Sequence, residues 1–296
     1  MVSLVWLMGV MCACSPIRRI PAPDPPPTVL PPSVARGHYL RGQLLAAEGD
    51  LDGAEHSLAR ARMFDADEPR ILMALGAVAM TRGDMDTARE RLAQATALAS
   101  DRPDPWLAYG RLELAFGDKD VGRDALRRAI ELGDSWEARA SLIADDLRDP
   151  RNAGIPPLLV RWSKMPVDDA VELRRRGDLR LMAGDAAGSV DDLLAAMNTS
   201  ARDVSLVASV MRAATVGNRM ADALIGAEQI VDSDPSALAA WMTVGLLSSL
   251  IDDHAQTVRA FEAAESLGAD LGSGPRMSLG RARKALVRIE PTPLPG

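Results

Sequence analysis

"PRILMALGAVAMTRGDMDTARERLAQATALASDR", residues 69–102, carries a pattern that recurs on both sides of it. Its central Gly83-Asp84 returns as Gly49-Asp50 and Gly117-Asp118, 34 residues away in each direction. Seven residues before each of these glycines stands another, at Gly42, Gly76 and Gly110. After them come Ala54, Ala88 and Gly122, then Leu58, Leu92 and Leu126, then Ala61, Ala95 and Ala129. Agreement at five positions in three successive units marks a 34-residue helix–turn–helix repeat. The small residues, such as Gly76 and Ala88, fall where the two helices of a unit cross and their backbones must approach. One hairpin cannot cover its own apolar face, so each unit leans on its neighbours.

The pattern resembles the tetratricopeptide repeat, whose motif asks for a large residue at repeat position 4, glycine at 8 and a turn at 15. It then asks for alanine at 20, an apolar residue at 24 and alanine at 27; Trp106, Gly110, Gly117, Leu126 and Ala129 match it well. In this register, units begin at Ala35, Pro69, Pro103, Glu137, Ala170, Val204 and Leu238. The fifth keeps Gly177, Gly184, Leu193 and Ala196, and the seventh keeps Trp241, Gly245, Phe261 and Ala264. The sixth is degenerate but retains Ala223 and Pro235. The resemblance implies an all-α, right-handed superhelix (an α-solenoid) of about seven hairpins over 34–271, closed by a capping helix over 272–289 and followed by a disordered tail at 290–296. The fourth unit, about 137–169, is the weak one: "LRDPRNAGIPPLLVRWSKMP" (147–166) sets prolines inside the expected second helix. The spacing continues through it, which favours a distorted hairpin over a break in the array.

Ahead of the repeats, residues 2–11 form an apolar run too short to span a membrane, which takes about 20 residues. It matches the apolar core of a signal peptide. With Ala13 before Cys14, it resembles the lipobox of bacterial lipoproteins. That resemblance implies a signal peptide over 1–13, cleavage before Cys14, lipid on its thiol, and Ser15 as a routing signal toward the outer membrane. A leader with incidental cysteines is the alternative. A Cys12/Cys14 metal or redox pair has no histidine or further thiol nearby to complete it. Residues 15–32 contain eight prolines, so 14–33 reads as the lipidated cysteine plus a semi-rigid linker, reaching roughly 55 Å at about 3.1 Å per residue.

Aromatic residues make up 3% of the chain and the net charge is −7. Neither suits nucleic acid, which calls for stacking platforms and clustered basic residues. No catalytic or nucleotide-binding motif stands out. His38, His56 and His254 are far apart, with His38 read as partly packed and the other two as surface residues. The acidic pairs Asp65/Asp67, Asp145/Asp146 and Asp252/Asp253 read as helix caps and solvated turns. No catalytic residue, metal, cofactor or small-molecule substrate is expected. In tetratricopeptide repeat proteins, positions 2, 5, 9, 12 and 13 face a concave groove. Here they supply Arg36, Tyr39, Arg70, Met73, Leu107, Arg111, Arg174 and Arg212. These suit an extended peptide or helix carrying carboxylates, unless the arginines pair internally with Asp and Glu of adjacent helices. The functional expectation is a non-enzymatic, lipid-anchored scaffold on the periplasmic face of the outer membrane, binding a protein partner to assemble a pilus, secretion or export complex. The alternative is an accessory subunit that recruits or regulates a cell-wall or polysaccharide enzyme.

Overall fold

A computed structural model describes residues 32–152 and 154–289; the signal peptide, Cys14, most of the linker and the tail lie outside them. The described residues form fifteen helices and no strand. Six full hairpins pair α1 (Pro32–Glu48) with α2 (Leu51–Phe64), α3 (Pro69–Arg82) with α4 (Met85–Leu98), and α5 (Pro103–Phe116) with α6 (Lys119–Gly133). They continue with α9 (Ala170–Met182) and α10 (Ala186–Thr199), α11 (Ser205–Val216) and α12 (Met220–Ser233), and α13 (Leu238–Leu250) and α14 (His254–Ser266). Between the third and fourth of these lie α7 (Trp136–Arg148) and the short α8 (Pro157–Trp162), and α15 (Ser273–Ile289) closes the array on α13 and α14. The second helix of each full hairpin packs on the first helix of the next unit. This stacking is what makes the chain a solenoid.

The helix crossing explains the repeat. A methyl group at Gly76 would meet Leu92 Cγ at 3.0 Å and the Ala88 carbonyl oxygen at 3.5 Å. The same partners recur at Gly42 with Leu58 and Ala54, and at Gly177 with Leu193 and Ser189; at Gly245 the apolar partner is Phe261. In the third unit both sides of the crossing are glycine: a methyl at Gly110 would lie 2.9 Å from the Gly122 carbonyl oxygen. One at Gly122 would lie 2.7 Å from the Leu114 amide nitrogen. Leu58, Leu92, Leu126, Leu193 and Phe261 are thereby buried, each contributing about 1.5–3 kcal/mol. The degenerate sixth unit inverts the pair. Met211 stands where the others have glycine, the buried Ala227 stands where they have leucine, and both join one apolar core.

The turns and caps repeat too. Gly83 closes α3 with φ of 83°, a left-handed conformation that glycine adopts without steric cost. The equivalent turns of the sixth and seventh units place Asn218 (φ 52°) and Asp252 (φ 58°) there, residue types that tolerate it. Next, an aspartate caps the second helix: Asp84 accepts from the Thr87 N–H at 3.1 Å, and bonding to Thr87, through its side chain first and its N–H second, holds the carboxyl below the usual range. Asp185 and Asp253 cap α10 and α14 in the same way, at 3.0 Å from Gly188 and Gln256. Gly117 differs. Its φ is −133°, and glycine is needed there for room, because a methyl would sit 1.9 Å from the buried Glu113 carboxylate. Glu113 accepts from Arg89 Nε at 2.7 Å and from the Asp118 N–H at 2.9 Å. The position-4 tryptophans tie each unit to the loop before it: Trp106 donates to the Ser100 carbonyl at 3.1 Å and Trp241 to that of Pro235 at 2.9 Å.

The structure corrects three details. Helix α1 begins at Pro32, two residues inside the expected linker, because proline at the first helical position lacks only an N–H that has no intrahelical partner. The prolines of the fourth unit do not interrupt a helix. Pro156 and Pro157 start one, and it ends after six residues. Asp145 and Asp146 are not caps. They lie within α7, where Arg123 of α6 reaches Asp146 at 2.6 Å and also pairs with Asp145. Around this short unit α7 packs on α9, with α8 against both.

If close backbone approach is the constraint, Gly110→Ala should lower stability by about 1–3 kcal/mol through overpacking. Gly280→Ala, in α15 with nothing within 4 Å of the added methyl, should raise it by about 0.4–1 kcal/mol. Urea unfolding followed by circular dichroism gives both signs. Equal effects would refute the crossing as the origin of the glycine pattern.

Candidate partner-binding groove

Two hollows lie on the face made by the first helices. Arg36, Tyr39 and Arg70 line one of about 380 Å³ between α1 and α3, together with Asp65 and Glu68. Arg70 grips Glu68 with both Nε (2.8 Å) and Nη2 (3.2 Å), and the Arg70 side chain holds that carboxyl below the usual range. Tyr39 accepts from Gln43 at 2.7 Å. This end of the groove is largely self-satisfied.

The second hollow, about 500 Å³, spans α5, α7 and α9. It brings Arg111 and Arg174 together, and adds Arg175, Trp136 and Val171, which position-by-position reading had not selected. Val171 is 63% exposed at its edge. Arg174 donates to Ser205 Oγ at 2.7 Å, with Asp203 at 3.9 Å. Arg111 and Arg175 make no ion pair among the described residues, although Glu137 and Asp178 line the same hollow. Arg212 is exposed on α11 and lines neither hollow. Met73 and Leu107 are half-buried, each with one side against an apolar core. The arginines therefore divide. Arg70 and Arg174 have internal partners, whereas Arg36, Arg111 and Arg212 have no acidic one among the described residues.

The polar network supporting this surface was missed altogether. Arg176, buried, binds Asp192 through Nε (2.9 Å) and Nη2 (2.6 Å), and donates Nη1 to the carbonyls of Trp162 and Met165 at 3.0 Å each. Asp192 also accepts from Arg180 at 3.2 Å. Burial opposes the charge on Arg180, but Asp185 and Asp192 outweigh it and raise its pKa. Trp162 donates Nε1 to Glu172 at 2.8 Å and carries the Arg139 guanidinium 5.5 Å above its ring. The short α8 is thus tied to α9 and α10 by these bonds, in addition to the apolar packing of Leu159 and Trp162 on Ile143 and Leu179. A signal was present: Arg176 and Asp192 occupy repeat positions at which Val210, Val244 and Ala260 stand buried in other units.

Of the histidines, His38 stacks on Phe64 with ring centroids 5.6 Å apart, His56 is exposed and His254 is half-exposed at the start of α14. Among the described residues, no group of three or more His, Cys, Asp or Glu is placed to hold a metal ion. None of their helices is long and apolar enough to cross a membrane.

No protein-family profile matches the chain, and no curated protein matches it. Among solved structures it is similar to PilW, described as a widely conserved type IV pilus biogenesis factor. The TM-score is 0.50 at 11% identity, over 68% of this chain and 94% of that one. Yeast Tom70 gives 0.51 at 13% identity, over 86% of this chain and 54% of that one. A tetratricopeptide repeat protein from Parabacteroides merdae gives 0.45 at 14% identity, over 85% and 99%. At these identities the likeness concerns fold. The helical array is that of the tetratricopeptide repeat.

Removing the buried guanidinium leaves two carbonyls without a donor and the buried Asp192 with Arg180 as its one remaining cation. Arg176→Ala should therefore cost about 3–5 kcal/mol. Hydrogen exchange should show residues 157–165 losing protection while α3–α5 keep theirs; unchanged protection at 157–165 would contradict the clamp.

Proposed function

We propose that this chain is a non-enzymatic, lipid-anchored scaffold of a bacterial cell envelope. Its first-helix groove holds a protein partner for assembly of a pilus, secretion or export complex. The observation that carries this reading is the hollow across α5, α7 and α9, where Arg111 and Arg175 stand exposed and without ion pairs among the described residues, beside Trp136 and Val171. Guanidinium forks pair carboxylates in bidentate geometry, and the neighbouring apolar surface suits the side chains between them. The partner is thus a peptide or helix with carboxylates interleaved with apolar residues. The anchor rests on sequence: the apolar run of residues 2–11, Ala13 at the cleavage position, and Cys14 ahead of a proline-rich spacer. The fold agrees with such a role, being one that a pilus biogenesis factor also has.

Cross-linking in intact membranes, with mass spectrometry of the adducts, tests the groove. The Arg111→Glu, Arg175→Glu double variant should lose its main cross-linked protein by about tenfold, as expected for reversed charge at a contact, with the melting curve unchanged. Adducts that survive the double variant would refute the groove. Metabolic labelling with a fatty-acid analogue should mark the wild type and spare Cys14→Ser, and equal labelling would remove the anchor.

A further inference from the structure

The opposite face, made by the second helices, is interrupted at the fourth unit. Helices α6, α10 and α12 have 15, 14 and 14 residues, whereas α8 has six. The shortfall is about two turns, or roughly 12 Å of helix. In its place is an open notch of about 630 Å³ between α6, α7 and α8, within the usual range for ligand-sized sites. Leu142, Leu158 and Met165 give it an apolar floor, and Arg127 and Arg161 stand at its rim.

The charges around the notch do not balance locally. Of the acids that line it, Asp134 is held by Arg139, Asp146 by Arg123 at 2.6 Å, and Glu131 by Arg128 at 3.1 Å. Arg161 meets no acid among the described residues. The partner of Arg127 is Asp124, one turn away on the same helix, and both are more than half exposed; such pairs are easily exchanged. A further donor is stranded in the wall. The Arg139 side chain is 6% exposed and lines the notch, and its Nε has no hydrogen-bond acceptor. An unpaired buried donor retains its full desolvation penalty. The notch therefore offers apolar surface, spare guanidinium donors and the length of two missing helical turns.

We infer that this notch receives an acidic amphipathic helix from a partner protein. Its apolar residues, three and four apart, would cover Leu142, Leu158 and Met165, and its carboxylates would face Arg127 and Arg161. The site is separate from the first-helix groove, so its occupant can be engaged together with a groove ligand.

The test uses two fluorescein-labelled amphipathic helical peptides, about four turns long. One carries Leu on one face and Glu on its flanks, and the other has Lys for every Glu. Fluorescence anisotropy with the full-length protein should show saturable binding of the Glu peptide and at least about tenfold weaker binding of the Lys peptide. The Arg127→Glu, Arg161→Glu variant, altered only at exposed side chains, should reverse that preference with its melting curve unchanged. The Arg111→Glu, Arg175→Glu variant should leave it intact, which separates the notch from the groove. The inference is overturned by no saturable binding, by equal affinity for the two peptides, or by a preference that follows the groove variant instead of the notch variant.

Discussion

The structure depends on how closely two helix backbones can approach within each hairpin. At the α5–α6 crossing a single methyl group would already press on a carbonyl oxygen at 2.9 Å. Close approach buries the leucine or phenylalanine of the second helix against the glycine of the first. Each hairpin leaves an apolar face for the next, so the units stack along the array. The sixth unit shows the cost of losing the glycine: with Met211 in its place, α11 and α12 approach each other less closely than the helices of the other full hairpins.

Stability is distributed unevenly along the solenoid. From Leu173 to Leu279 one apolar core runs through three units and the capping helix, while the first three units hold smaller separate clusters. Between them the fourth unit keeps a small apolar cluster of Ile143, Leu159 and Trp162 with Leu179 of α9, and the Arg176 and Arg139 networks add to it. Such networks hold only while every member is satisfied. Arg176 comes close to that, with four bonds, whereas Arg139 keeps one nitrogen without a partner. The place where the repeat is least regular is also where both candidate surfaces lie, the groove hollow on one face and the notch on the other.

Much of the fold could be read from the chain alone. The 34-residue spacing, the Gly-Asp turns and the small residues at the crossings are local requirements. They constrain backbone conformation or approach at fixed sequence distances, so they leave a periodic trace. The same holds for the capping aspartates. The site was less legible. Repeat positions placed Arg36, Arg111 and Arg174 on the groove face, but they could not show that Arg70 closes on Glu68 while Arg111 stays open. Arg175 and Trp136 were overlooked because they fall outside the repeat positions that the family's pattern turns toward the groove.

What the sequence by itself determined is the unit: its length, its turn, its crossing and the count of hairpins, because each follows from sterics between residues a fixed distance apart. What only the tertiary structure decided is the pairing of charges across units. Arg123 finds Asp145 and Asp146, Arg89 finds Glu113, and Arg176, paired with Asp192 inside its own hairpin, reaches two carbonyls of α8 and its turn in the unit before. Those choices depend on which side chains of separate hairpins meet after stacking. No periodicity encodes that, since a long arginine reaches any of several carboxylates and burial selects among them.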